Sequence, residues 1–226
     1  MNRGIIVLLF LFLYMPRLTA QADSPPFRVM CWNVENLFDT HHDSLKNDYE
    51  FLPDALRHWN YQRYKKKLVN IARVITAVGE WVPPVLVGLC EVENDNVMRD
   101  LTRYSPLKEQ GYRYVITHSP DERGIDVALL YQRDRFKLLS RRSIPTGTFR
   151  PQNRPTRDIL HVCGLLATGD SLDVLVVHLP SRSSGAKVSE PYRMLVAGKI
   201  RSIADSLLTT RLHPQLIIMG DFNDYP

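Results

Sequence analysis

The chain has 226 residues, with 29 Lys and Arg against 24 Asp and Glu and a formal net charge of +5. That length suits one sizeable domain rather than two, and no repeat, low-complexity tract or linker divides it. Cys31, Cys90 and Cys163 form no short-spaced pair, which excludes a disulfide framework or a zinc site built from neighbouring thiols. Each lies in an apolar run and reads as a buried free thiol.

Met1-Asn2-Arg3 is a short basic start, and the eleven residues Ile5 to Met15 are uninterruptedly apolar. Leu18-Thr19-Ala20 and Ala20-Gln21-Ala22 then place small residues at signal-peptidase spacing. Residues 1–22 therefore read as a secretory signal peptide, and the chain as exported, periplasmic or secreted. Eleven apolar residues make about half a bilayer span, and no Cys stands at the cleavage point, so no stable membrane anchor is expected. Cleavage removes Arg3 and Arg17 and no acid, leaving residues 23–226 with 27 basic and 24 acidic residues, a net charge of +3. That excess is compatible with a phosphate-bearing substrate without demanding one.

Arg28 to Trp32 reads as a short buried strand, and Asn33 to Trp59 as a long polar loop of the kind that rims a site. Tyr61, Tyr64, Leu68, Ile71, Ile75 and Val78 recur at helical spacing, with Asn60 as N-cap and Gly79 as stop. Lys65-Lys66-Lys67 reads as the solvated face of that helix. Val85 to Cys90 is a second buried strand and Asn94 to Tyr104 a short helix. Tyr112 to Thr117, Ile125 to Gln132 and Phe136 to Arg142 read as strands, and Ile159 to Thr168 and Leu172 to Leu179 flank a Gly169-Asp170 hairpin turn. Ser189 is the expected cap of a helix to about Thr210, with Leu195, Ile200, Ile203, Ala204 and Leu207 as its apolar stripe. Leu216 to Met219 is a last buried strand. Parallel strands reached through helices mix with antiparallel hairpins, which makes an α/β domain on mixed sheets.

Four of these apolar strands end in polar residues: Asn33, Glu91, His178, and Gly220-Asp221-Phe222-Asn223-Asp224. Strand ends in α/β sheets are where rigidly held side chains meet open space. Asn, Glu and Asp are hard oxygen donors suited to Mg²⁺, and an imidazole and a water-orienting carboxylate complete the set.

In its motifs the chain resembles the endonuclease/exonuclease/phosphatase superfamily. The matching stretches are Cys31-Trp32-Asn33-Val34-Glu35-Asn36-Leu37-Phe38, Leu89-Cys90-Glu91-Val92-Glu93, Gly124-Ile125-Asp126-Val127-Ala128-Leu129-Leu130-Tyr131, Val177-His178-Leu179-Pro180-Ser181-Arg182 and Met219-Gly220-Asp221-Phe222-Asn223-Asp224. They follow the family order, and Gly-Asp-Phe-Asn after an apolar strand is the most specific.

The resemblance implies a four-layer sandwich of two mixed β-sheets flanked by helices, over residues 23–226, acting as a divalent-metal-dependent phosphoric ester hydrolase. It implies Mg²⁺ or Mn²⁺ at Glu91, with Asn33 supporting the metal or the phosphate. His178 would contact non-bridging phosphate oxygens as an imidazolium, Asp221 would orient or activate the attacking water, and Asn223 would be its amide partner. Arg182 could add a bidentate phosphate contact. Members of the family also carry a last strand with an Asp-His motif, which does not occur through Pro226. The expectation is a C-terminally incomplete domain that turns over phosphodiesters poorly. A phosphate- or nucleic-acid-binding fragment without turnover stays open as a second reading, and phospholipid or phosphomonoester as other substrates. Nucleic acid is favoured by the net charge and by Arg141, Arg142, Arg150, Arg154 and Arg157 around one loop. A monomer is expected.

Overall fold

The computed structural model describes residues 25–149 and 154–225. The expected signal peptide, residues 1–22, and Arg150 of the basic loop lie outside them. In chain order the elements are β1 (Val29–Leu37), α1 (Tyr61–Gly79), β2 (Leu86–Val92), α2 (Asp95–Arg103), β3 (Arg113–Ile116), β4 (Asp126–Tyr131), β5 (Phe136–Ile144), β6 (Thr148–Phe149), β7 (Arg154–Pro155), β8 (Ile159–Leu166), β9 (Ser171–His178), α3 (Ala186–Thr210) and β10 (Leu216–Asp221).

They build two mixed sheets of the same design. One has the order β1-β2-β4-β3 and the other β10-β9-β8-β5, with β6 and β7 forming a small separate ribbon. In each, the outer pair (β1 with β2, β10 with β9) is parallel and the remaining pairs are antiparallel. Alternation along the strands sorts the side chains into layers. Val87, Leu89, Ala128 and Leu130 face α1 and α2. Leu86, Cys90, Val127 and Leu129 face Leu160, Val162, Val174, Val176 and Met219 of the other sheet. Leu175 and Val177 turn outward onto Val196 and Ile200 of α3. The layers therefore run helices, sheet, sheet, helix. Covering both faces of both sheets is why the central strands are apolar throughout. Each fully buried aliphatic side chain there contributes about 1.5–3 kcal/mol.

The helix α1 begins where its cap lies: Asn60 Oδ1 accepts from Arg63 N at 3.1 Å. Tyr61 and Val78, expected on its apolar stripe, are exposed at its two ends. Other expectations need larger correction. β1 extends to Leu37 instead of ending at Trp32, and Val29 and Cys31 are exposed because β1 is a sheet edge. All three cysteines are free, with Cys90 and Cys163 buried. β10, the other edge, is also half-buried rather than buried, with Ile218 exposed.

The helix α3 starts at Ala186 after Gly185, not at Ser189. The Ser189 hydroxyl instead donates to Gly185 O at 2.8 Å inside the first turn. Its buried face is Ser189, Arg193, Val196, Ile200 and Ala204, while Leu195 is exposed. Arg193 sets that phase. Its guanidinium donates to Ser189 Oγ at 2.7 Å and to Asp224 Oδ2 at 2.9 Å, tying the helix to the segment after β10. Among the described residues no helix is long and apolar enough to cross a membrane.

Candidate active site

Glu91 comes to the surface through a break in a buried strand. The register of β2 slips between Cys90 and Val92 against both neighbours, β1 and β4. Glu91 occupies that bulge with a left-handed backbone, φ +63°. A bulge of this kind re-aims a side chain, at a cost of about 1 kcal/mol or more for a residue with a Cβ. β1 is distorted beside it. Beyond Asn33 its register also shifts, and Glu35 and Asn36 both have positive φ, 56° and 61°.

That distortion is held from α1. Lys67 Nζ donates to Asn36 O at 3.1 Å and to Glu35 O, and lies 5.5 Å from the centre of the Trp59 ring. Lys67 is thus not part of a solvated Lys65–Lys67 face. Burial lowers its pKa from the ordinary lysine value, against the opposing pull of Glu35 and Glu91.

The second sheet delivers its residues through a regular ladder. Asp221 of β10 pairs in register with His178 of β9. Gly220 permits the approach: a Cβ on it would stand 1.8 Å from the carbonyl oxygen of Val177. Asn223 N donates to Asp221 Oδ1 at 2.9 Å, which fixes the carboxylate from behind. The Asn223 amide donates to Leu179 O at 2.9 Å, a carbonyl that also accepts from Arg157 Nη2 at 2.7 Å.

The two sheets meet at Asn33. Its Nδ2 donates to Asp221 Oδ2 at 2.9 Å and approaches Glu91 Oε1 at 3.2 Å, while its Oδ1 accepts from Glu35 N at 2.9 Å. His178 Nε2 lies 3.8 Å from Glu91 Oε1 and 3.9 Å from Asp221 Oδ2. Asn33, Glu91, His178, Asp221 and Asn223 therefore share one centre. Burial, then the nearby Arg157 and Arg123, pushes the His178 pKa down to about 2. The imidazolium expected from the sequence is corrected accordingly: His178 is a neutral imidazole, able to donate one hydrogen bond without carrying charge.

A cleft of about 480 Å³ opens from Glu91, His178 and Asn223. Arg182 does not line it. Its guanidinium stacks 4.0 Å from the centre of the Tyr225 ring and borders a second groove, which Asn33, Asp221 and Asn223 also line.

Sequence reasoning missed Arg157. It is not a surface cation of a basic loop but a buried wall of the cleft, paired with Asp121 Oδ2 at 3.4 Å, with its Nε left without a partner. Arg141 and Arg142 are exposed on β5. A charged residue abutting the apolar start of β8 was the only local signal for Arg157.

Among the described residues no group of three or more His, Cys, Asp and Glu is arranged to hold a metal ion. What the centre offers is one carboxylate from each sheet, drawn toward a single amide nitrogen and both partly open to solvent. A set of few, hard oxygen donors fits Mg²⁺ or Mn²⁺, which keep several waters, and does not fit zinc. Asn33 presents its nitrogen here, so it positions the carboxylates. It could ligate a cation only with its amide turned over.

Two mixed sheets between helices, with a polar centre where their parallel edge pairs meet, define a four-layer α/β domain that carries its site on strand ends. The chain belongs to the endonuclease/exonuclease/phosphatase family, whose profile it matches over residues 28–226. Among solved structures it is similar to TDP2 from C. elegans (TM-score 0.59, 15% identity, 87% of this chain and 48% of that one). It is similar also to the human Nocturnin catalytic domain with bound sulfate (0.57, 20%, 89% and 65%). A third is ANGEL2, a 2′,3′-cyclic phosphatase (0.59, 18%, 88% and 53%). The chain thus spans about half to two thirds of the length of these structures. Comparison with curated proteins finds no match.

Proposed function

We propose that this chain is an exported, divalent-metal-dependent phosphodiesterase that hydrolyses its substrate with an activated water. One observation carries the reading: Glu91 and Asp221, one from each sheet, converge on the Asn33 amide with neutral His178 between them. Like charges brought this close are stabilised by a cation in their midst. Glu91 would hold Mg²⁺ or Mn²⁺, with Asn33 steadying it, and the ion would supply positive charge where the transferring phosphoryl group gathers negative charge.

The protein's own groups do the rest. Asp221 accepts a hydrogen bond from the attacking water and orients it, its other oxygen being occupied by Asn223 N. His178, neutral, donates to a non-bridging phosphate oxygen from a water-poor wall, where one such bond is worth more than in bulk water. Asn223 has its amide committed to Leu179 O and acts by bracing Asp221 and the turn. Arg182 borders the neighbouring groove, where it would meet a substrate that extends past the centre. Export is supported by the basic start and apolar run before Pro16. Nucleic acid is the favoured substrate, in line with D. rerio TDP2 complexed with a single-strand DNA product, a structural neighbour at TM-score 0.54 and 16% identity.

The test is calorimetric titration of Mg²⁺ and Mn²⁺ into wild type and Glu91→Gln, beside hydrolysis of bis(p-nitrophenyl) phosphate. Wild type should bind and turn over, and the variant should lose at least tenfold in metal affinity while unfolding at a similar temperature. Equal affinity in both proteins removes Glu91 from the metal site.

A further inference from the structure

The cleft beside the centre is walled by groups the proposed hydrolysis does not use. On one side is the turn Asp121-Glu122-Arg123-Gly124, and on the other Thr156 and Arg157. Ser181 and Ser183 face the opening from beyond β9. The turn is unusually well anchored for a surface loop. Lys46 Nζ donates to Ser119 O and Asp121 O, both at 2.9 Å, and Asn47 N to Glu122 O at 2.7 Å. The Asp121 carboxylate accepts from Arg123 N at 3.0 Å and pairs with buried Arg157.

The backbone of Arg123 is therefore fixed, yet among the described residues its guanidinium has no hydrogen-bond or ion-pair partner. Arg123 itself lines the cleft, together with Glu91, His178 and Asn223 of the centre. A cation carried on an anchored backbone beside a polar cleft, with no partner among the described residues, is arranged to receive an anion. A volume near 480 Å³ admits about one nucleotide-sized group and not a duplex.

We propose that Arg123 is a specificity-determining residue that binds a second phosphate on the substrate, so that the preferred substrate is a compact phosphodiester with a neighbouring phosphate, such as the end of a single nucleic-acid strand. This rests on the hydrolytic reading of the centre. A guanidinium is suited to the task because it grips two phosphate oxygens at once. A neutral lipid tail or an uncharged alcohol would leave it unused.

Two measurements keep the two readings apart. The first compares kcat/KM, with Mg²⁺, for thymidine 5′-(4-nitrophenyl phosphate) and for the same ester bearing a 3′-phosphate. Wild type should favour the phosphorylated ester about tenfold, the scale of one charge-assisted contact. Arg123→Gln should bring that ratio toward one, and Arg123→Lys should retain part of it. The second is calorimetric binding of thymidine 3′,5′-bisphosphate against thymidine 5′-monophosphate, which needs no turnover and should show the same loss in Arg123→Gln.

If neither ester is hydrolysed but the bisphosphate preference is present and lost in Arg123→Gln, the hydrolytic reading falls and the second-phosphate site stands. A wild-type binding ratio within twofold of one, or a ratio unchanged by Arg123→Gln, overturns the proposal. A ratio restored by Arg123→Lys separates charge from fold, since a merely structural role would not track the cation.

Discussion

The two sheets share one topology and supply the same centre by opposite means. The β1–β2 half bends its backbone: Glu91, Glu35 and Asn36 stand in left-handed conformations, and the ladder slips around them. The β9–β10 half keeps its ladder intact through Asp221 and His178, and obtains its geometry from the one residue that lets backbone approach backbone, Gly220. A strained half has to be held in place by side chains around it, here Lys67 and Asn33. A regular half needs only the right small residue. The first should respond in graded fashion to mutation, and the second should fail abruptly.

The sharpest break is therefore expected in the regular half. Gly220→Ala should destabilise by about 3 kcal/mol or more, because the methyl group meets a carbonyl oxygen that cannot move without parting β10 from β9. Urea unfolding measures it, and a loss below about 1 kcal/mol would show that the ladder yields.

Next comes acid. The folded state refuses a proton at His178 that the unfolded chain accepts below about pH 6.5. This contribution to stability is thus whole above that pH and lost as pH falls from there toward about 2. Between pH 6.5 and 4.5, wild type should lose up to about 1.4 kcal/mol per pH unit more than His178→Gln. Parallel slopes for the two proteins would mean that His178 titrates normally.

In the strained half the effects are smaller. Lys67→Met should cost about 1–2 kcal/mol, since it strips the Glu35 carbonyl of its donor and leaves the Asn36 carbonyl with Phe38 N alone. Thermal unfolding reads this out, and Lys67→Arg should recover part. Smallest, Glu91→Gly should be more stable than Glu91→Ala by about 1 kcal/mol, because glycine adopts the left-handed conformation without a Cβ penalty. Equal stability would show that the bulge relaxes once the carboxylate has gone.

The same division explains what could be read from the sequence. α1 was legible because Tyr64, Leu68, Ile71 and Ile75 recur at a helical period behind a capping Asn60, and β2, β4 and β9 because both of their faces are covered. The residues brought to the centre were legible as polar endings of apolar runs. What escaped depends on contacts distant in the chain. Lys67 looks like its neighbours Lys65 and Lys66 until Trp59 and the β1 bulge are placed beside it. Arg157 reads as loop charge until Asp121, 36 residues earlier, neutralises it. On α3 the expected stripe holds at Ile200, Ile203, Ala204 and Leu207, which are buried or half-buried, and fails only at Leu195, because near that end a buried arginine, not a leucine, anchors the inner face. The protonation of His178 follows from burial, which no local pattern encodes.

The Asn33 amide has a consequence for cohesion as well as chemistry. By touching Glu91 of one sheet and Asp221 of the other, it rivets the halves together at the point where substrate would sit. Amide hydrogen exchange along β1 and β10 should then slow when a phosphate ligand or cation is added, even though neither strand buries new surface. Variation at Asn33 cannot loosen grip on the substrate without also loosening the seam of the domain, so its mutational tolerance is set by two demands at once.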